Sequence, residues 1–562
     1  MPSLDEISIA LEGIGHALSD NMLAVPVYQR SYAWEERHVL DLIQDIATAM
    51  HEQEKEYFVG SIVISEHSSE RPEVVDGQQR LATTSILIAA IRDWFYSEGD
   101  KDRADDIERK FLVTRELRTQ ERVARLHMND NDHDFFLKRI LSTPDSEERS
   151  GSATKESHIK MVKAADLARN HVLSIVQLSS KPAQMLLDWI DYLTSNVRVI
   201  WVGVPDHANA FTIFETLNDR GLDLAISDLL KNYLFHLADD RISEVQQRWV
   251  SMFGAMEAID NEKVVVDYIR YLWSSKHGVT REKDLYDRIK EQITSKQAAI
   301  DFADELAESA KLYSAILSTD NDFWNEYGPT ARFHMATINL LRMVQIRPLL
   351  LAILAKFPVR EVQKVLRAMV AWSVRFLIYG GLGGGTLERH YSDRATEVRS
   401  GKIATAEDLQ KAMSQVVPTD QQFEQAFATA TVSKVYLARY YLRALESMDQ
   451  GDPEPAFVPN PNQEVVTLEH ILPENASSAW SRIDEETAKV YYRRIGNLAL
   501  LKSRMNLQVG NDGFRDKKPV LARCEFALTS SIAECEDWGP KQIESRQREL
   551  AVLAVRTWPN KV

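Results

Sequence analysis

The chain has 562 residues, 44% of them hydrophobic and 27% charged, an ordinary globular composition too long for one core, so two to four domains are expected. Its longest nearly unbroken apolar run, Pro348 to Ala355, is closed by Arg347 and Lys356, far short of the roughly 18–20 residues that span a bilayer. The start carries Asp5, Glu6 and Glu12 rather than a basic leader, the only cysteines (Cys524 and Cys535) form no CxxC, and the net charge is −16; the cysteines exclude a disulfide framework and a four-thiolate zinc site, the start argues against a secretory signal and the charge mildly against wholesale coating of nucleic acid, and together they suit a cytoplasmic protein.

In chain order, the first 238 residues read as α/β. Ala24 to Tyr28 suits a short strand, and Glu35 to Met50 carries Val39, Leu42, Ile43 and Ile46 at helical spacing. Tyr57 to Ser65, rich in β-branched and aromatic residues, reads as a buried strand, and Glu73 to Val75 as a shorter one ending at Asp76-Gly77. Leu81 to Phe95 follows as an apolar helix, Ser142 to Ser157 as an exposed loop, Arg198 to Val204 as another buried strand and Ala208 to Leu217 as a helix. Residues 239–450 read as almost wholly helical. The cluster Gly380, Gly381, Gly383, Gly384 and Gly385 breaks that pattern; with no strand before it and no Gly-Lys-Ser/Thr after it, it reads as a connection rather than a phosphate loop. Four prolines between Gly451 and Gln463 mark residues 451–464 as a linker, and 465–562 as a compact C-terminal domain.

Two constellations carry chemistry. Val75-Asp76-Gly77-Gln78-Gln79-Arg80-Leu81 is a strand, a tight turn and a helix start. Helix N-termini attract phosphates, Gly77 permits close approach, Arg80 can fork onto phosphate oxygens, and Asp76 can orient a metal or a water. The same residues also suit a purely structural ion pair at a helix cap. Farther on, Val466-Thr467-Leu468-Glu469-His470-Ile471-Leu472-Pro473 delivers an acid and a histidine side by side at a strand end, followed by Gly496-Asn497-Leu498 and, nine residues past Asn497, by Asn506. Phosphodiester hydrolysis needs a base for water and a cation for the developing charge. His470 suits the base, Glu469 and Asn506 suit hard oxygen ligands for Mg²⁺ or Mn²⁺, and Asn497 suits a residue that holds the His-bearing loop. From Tyr491 to Arg523 eight basic residues, among them Arg493, Arg494, Lys502, Arg504 and Lys517, stand against two acids, a net +6 inside an acidic chain. That segment fits a phosphate backbone or, equally, a solvated helical face.

The ordered acid-His, Asn-Leu and final Asn resemble the ββα-metal, or HNH, nuclease pattern. With Phe514, Lys517, Trp538, Ile543, Arg546, Leu550 and Trp558, they resemble the C-terminal GmrD-like domain of GmrSD-type modification-dependent restriction enzymes. Glu469 departs from the Asp of many HNH enzymes. Asp-Gly-Gln-Gln-Arg at 76–80, Pro26-Val27-Tyr28-Gln29-Arg30-Ser31-Tyr32-Ala33-Trp34, and Phe214-Glu215-Thr216-Leu217-Asn218-Asp219-Arg220-Gly221-Leu222 with Asp228-Leu229-Leu230-Lys231-Asn232 resemble the family's GmrS-like N-terminal domain.

The resemblance implies a ParB/sulfiredoxin-like α/β fold that binds and hydrolyses a nucleoside triphosphate, GTP foremost. It carries over Gln29, Arg30, Asp76, Gly77, Gln78, Gln79 and Arg80 as nucleotide-site residues, with Asp76 and Arg80 catalytic, and Asn218, Arg220, Asp228 and Lys231 beside them. Tyr28, Tyr32 and Trp34 suit base stacking or core packing equally. The implied function is an NTP-regulated endonuclease that nicks or cuts phage DNA bearing glucosylated hydroxymethylcytosine or phosphorothioate. It would work as a homo-oligomer or with companion defence proteins, away from membranes. The alternative is a nucleotide-dependent DNA-binding sensor with little cleavage.

Overall fold

A run of β-branched and aromatic residues that must bury both faces belongs in the middle of a sheet, and Tyr57–Ser65 lies there. The computed structural model describes residues 7–65, 71–204, 226–256, 262–380, 383–452, 466–474, 480, 482–509 and 512–561. The chain forms two compact units, Met1–Asp267 with Glu282–Glu308, and Tyr268–Arg281 with Ser309–Val562. The first therefore takes in the beginning of the stretch expected as a separate helical region, and the second its remainder together with the C-terminal residues.

The strands in chain order are β1 (Ser8–Gly13), β2 (Leu23–Ala24), β3 (Tyr57–Ser65), β4 (Glu73–Asp76), β5 (Val113–Arg115), β6 (Arg122–Ala124), β7 (Leu126–His127), β8 (Val197–Val204), β9 (Val466–His470) and β10 (Leu498–Lys502). In the first unit a mixed six-stranded sheet runs β1-β8-β3-β4-β2-β7, with β3 parallel to β8 and antiparallel to β4. Alternation divides its side chains: Ile62, Ile64 and Val74 enter the main core with Leu81, Ile86, Ile91 and Phe95, whereas Val63, Val75, Val202 and Val204 form a smaller cluster on the other face. The helix Gln78–Ser97 buries residues all round its circumference and so carries no polar stripe.

The expected strand over 57–65 and helix over 35–50 are found at Tyr57–Ser65 and Glu36–His51. Ala24 to Tyr28 yields only the two-residue β2 before the chain turns. The expected exposed loop from Ser142 to Ser157 is anchored at both ends. Ser142 and Ser157 are buried, and Arg149 bonds the carbonyls of Ser142 and Ile140. The helix expected over Ala208 to Leu217, the motif at 214–222 with Asn218 and Arg220, and most of the 451–464 linker lie outside the described residues.

Among the described residues the second unit is helical apart from β9 and β10. Trp558, past the closing helix Pro540–Thr557, sits among Phe423, Phe427, Tyr440 and Tyr441. The buried Arg375 guanidinium ties that end down through the carbonyls of Trp558 and Pro418 and the Asp420 carboxylate. Gly384 and Gly385 of the glycine cluster open the helix Gly384–Arg399. Among the described residues no helix is long and apolar enough to cross a membrane.

Candidate active site and a second polar cluster

Strands β9 and β10 pair antiparallel with His470 opposite Leu498 and Glu469 opposite Ala499, and the helix Ser503–Val509 follows β10 directly. The hairpin therefore places His470 at a strand end beside the turn that holds Asn497, and Asn506 on the next helix. Asn497 is fully buried. Its Oδ1 accepts from the Leu472 N–H at 2.8 Å and the Trp538 indole at 3.0 Å, and its Nδ2 donates to the carbonyls of Leu472 (2.8 Å) and Tyr492 (3.1 Å). An amide satisfied on both atoms is a rigid clamp, here closed on the chain immediately after His470. Gly496 beside it is obligatory, because a Cβ would stand 2.3 Å from the Ile543 carbonyl oxygen.

The His470 ring lies 5.3 Å from that of Tyr492. Burial, then the Lys517 charge, push its pKa below the ordinary imidazole value against an upward pull from Glu474, with Arg493 adding a smaller push down. An imidazole held neutral can accept a proton. Asn506 Nδ2 donates to Thr467 Oγ1 at 2.9 Å, which fixes the amide against β9.

Lys517 requires a correction. It was expected on a surface facing phosphates, yet its side chain is fully buried, with Nζ 2.6 Å from Glu469 Oε1 and 3.1 Å from the His470 carbonyl oxygen. A lysine enclosed in this way serves the protein interior, not a DNA backbone. Burial pushes the Glu469 carboxyl above its ordinary value, and Lys517 pulls against that rise. Arg494 is also spent internally, on Gln547 Oε1 and the Ala428 carbonyl. Arg493, Lys502 and Arg504 are exposed; Arg493 lies over the Tyr492 ring and Lys502 pairs with Glu525.

For a divalent ion the donors are few. Among the described residues no group of three His, Cys, Asp or Glu side chains could hold a metal. Lys517 takes one Glu469 oxygen, which leaves the other, together with the Asn506 amide oxygen, as hard donors. Two such donors fit Mg²⁺ or Mn²⁺, which fill their remaining positions with water and substrate phosphate, and do not fit structural zinc.

In the first unit the 76–80 segment is the junction of β4 and the helix Gln78–Ser97. Gly77 occupies its turn with φ +96°, and a Cβ there would meet Ile62 Cγ1 at 2.9 Å. Gln29 is the hub: its Nε2 donates to the Val75 carbonyl (2.7 Å) and its Oε1 accepts from Lys231 Nζ (2.8 Å). Lys231 also holds Asp228 at 3.0 Å, and Arg30 Nε lies 3.5 Å from the same carboxylate. Gln79 ties the 26–34 loop through the Ala33 N–H and the Ser31 carbonyl, while Arg80 Nη1 donates to the Ser61 carbonyl. Gln78 and Gln79 are both buried.

The two carboxyls are driven apart. Burial raises Asp76, with Arg80 opposing; at Asp228 burial is outweighed by Lys231 and Arg30, which hold it below the carboxylate range. Tyr32 is core, its hydroxyl on Thr83 and its backbone N–H on Asp132, and Tyr28 meets Phe235 edge-on.

Sequence reasoning assigned no role to Asn129 and Asp132, which anchor the 26–34 loop through Gln29 O and Tyr32 N. It also missed Gln547, which bonds the Gly496 N–H and the carbonyls of Phe427 and Ala430. The polar run 129–132 inside an apolar stretch was the one available signal for the first pair; nothing local marks Gln547.

Two family models match the chain, one in each unit. Residues 14–235 match the N-terminal domain of the GmrSD restriction endonuclease, and residues 417–553 match the C-terminal domain of GmrSD restriction endonucleases. No curated protein matches the chain. The two matched segments make up well over half of the sequence and define a restriction endonuclease class. The chain belongs to the GmrSD family.

Proposed function

We propose that this restriction endonuclease is an HNH-type enzyme, dependent on a divalent metal and regulated by a nucleoside triphosphate, that nicks or cuts phage DNA in the cytoplasm. The observation that carries the reading is the β9–β10 hairpin with its following helix, which gathers Glu469, His470, Asn497 and Asn506 within one small element group. In this mechanism neutral His470 takes a proton from the attacking water, and Asn497 holds the loop that aims the imidazole. Glu469 and Asn506 would hold Mg²⁺ or Mn²⁺, which would supply charge neutralisation at the phosphate. Arg493, Lys502 and Arg504 meet the DNA backbone.

The junction at 76–80 is the proposed triphosphate site, with GTP favoured. Gln29, Arg30, Gly77, Gln78, Gln79 and Arg80 bind there, and Asp76 and Asp228 are poised at different protonation states for acid and base work. Occupancy of that site, or a modification of the DNA such as glucosylation or phosphorothioation, governs cleavage. With one hydrolytic centre per chain the expected product is a nick, unless copies or companion proteins act together. A second reading, a nucleotide-dependent DNA sensor with little cleavage, is favoured by the Lys517 ammonium held on Glu469.

A plasmid panel decides between them. Supercoiled unmodified, glucosyl-hydroxymethylated and phosphorothioated DNA is incubated with Mg²⁺, with and without GTP, using wild type and His470→Ala. Conversion by wild type and not by the variant supports the nuclease. Triphosphate hydrolysis with no cleavage of any substrate supports the sensor.

A further inference from the structure

Among the described residues, three of the four buried arginines are paired. Arg92 is met by Asp93, Glu108 and the carbonyls of Leu141 and Ser142; Arg375 by two carbonyls and Asp420; Arg546 by the carbonyls of Gly496, Leu498 and Leu528. Arg439, on the helix Val435–Asp449, departs from this pattern. It is 2% exposed, and none of its three guanidinium nitrogens has a hydrogen-bond partner among the described residues. One turn along, Nη1 of Arg443 is buried and unpartnered too. The acid nearest on that helix face, Glu446, spends its carboxylate on the N–H groups of Ala527 and Leu528 and on Gln450. A guanidinium does not shed its proton, so burying one whole, with part of a second beside it and no counter-charge, is strongly unfavourable unless an anion completes the site.

We propose that Arg439 and Arg443 form a binding site for a phosphate group. Two forks one helical turn apart share a face and present paired N–H donors, which suits a multiply charged oxyanion better than a halide. The surroundings add charge of the same sign. Tyr436, three residues before Arg439, lies under the exposed Arg342 guanidinium at 5.5 Å. The helix packs against β9 and β10. Just before it, Val432 N–H bonds the Arg493 carbonyl and Thr431 pairs with Arg494, beside the Tyr492 ring that faces His470. The phosphate comes either from a nucleic-acid strand end or from a free nucleotide or phosphate. The site stands independently of whether the hairpin cleaves DNA.

The test uses the full chain, without metal and with EDTA, at constant ionic strength. Thermal unfolding is followed with inorganic phosphate, with pyrophosphate, and with a short single-stranded oligonucleotide carrying or lacking a 5′ phosphate. Wild type gains about 5 °C, saturably, at a hundredfold excess over Kd, and Arg439→Met and Arg443→Met each abolish the gain. Without ligand, Arg439→Met melts at or above wild type, because an unpaired buried cation has gone. A gain with the phosphorylated oligonucleotide alone assigns the nucleic-acid strand end; a gain with phosphate or pyrophosphate assigns the free anion. No gain in wild type with any probe, or an equal gain in both variants, overturns the site. If Arg439→Met does not fold, the less buried Arg443→Met gives the same comparison. Because no cleavage is read, failure here is distinct from failure of the nuclease reading.

Discussion

Replacing Lys517 by methionine keeps the aliphatic stem and removes the ammonium that lies 2.6 Å from Glu469 Oε1. The two side chains are 0% and 9% exposed, so water does not compensate. At that separation and an effective dielectric of 20, the direct attraction is about 6 kcal/mol. Much of it offsets the desolvation of both ions, and removing one partner of a buried pair costs about 3–5 kcal/mol because the other stays behind uncompensated. Loss of the bond to the His470 carbonyl adds to this. For a unit of this size the expected drop in melting temperature is about 6–20 °C. Calorimetry on Lys517→Met, Glu469→Gln and the double variant at neutral pH closes the cycle. The double variant should recover most of the loss, since it leaves no buried charge. A drop under 2 °C for Lys517→Met, or a double variant as unstable as Lys517→Met alone, refutes the reasoning and returns Lys517 to a surface role.

Other outcomes follow from the same geometry. Asn497→Ala strands the Leu472 amide and carbonyl, the Tyr492 carbonyl and the Trp538 indole; urea titration should show a loss of about 2–4 kcal/mol, with plasmid nicking abolished. Gly77→Ala forces a side chain into φ +96° and against Ile62, and about 1–3 kcal/mol should be lost from the first unit. His133, stacked on His127 at 3.5 Å, has its pKa pushed down to about 4, by burial first and by His127 second. Because the unfolded chain takes up this proton near pH 6.5 and the folded one only near 4, stability should fall as pH drops through that window. His133→Gln should flatten the slope of urea midpoint against pH. Arg504→Gln, at an exposed position, should lower the salt dependence of DNA binding by about one counterion without altering stability; an unchanged slope places the DNA elsewhere.

Much of the site was legible because it is local. The strand over 57–65 is set by side-chain alternation, the turn at Asp76-Gly77 by a glycine with positive φ, and the order Glu469-His470, Asn497, Asn506 by a single hairpin and the helix after it. What the sequence by itself determined was therefore the family, the main strands of the first unit and the residue types at both clusters. Tertiary structure decided the partners. The two- and three-residue strands β2, β5, β6 and β7 exist only through pairing with neighbours and carry no periodicity of their own. Lys517 reads as surface charge until the fold brings it to a carboxylate 48 residues away. Gln547 acquires its place only when the closing helix packs on the Gly496 turn. Arg439, charged and on an ordinary α-helix, gives no sign in the sequence that its charge is enclosed. Burial and charge pairing are properties of long-range contact, and a one-dimensional pattern records only which residues are available to make it.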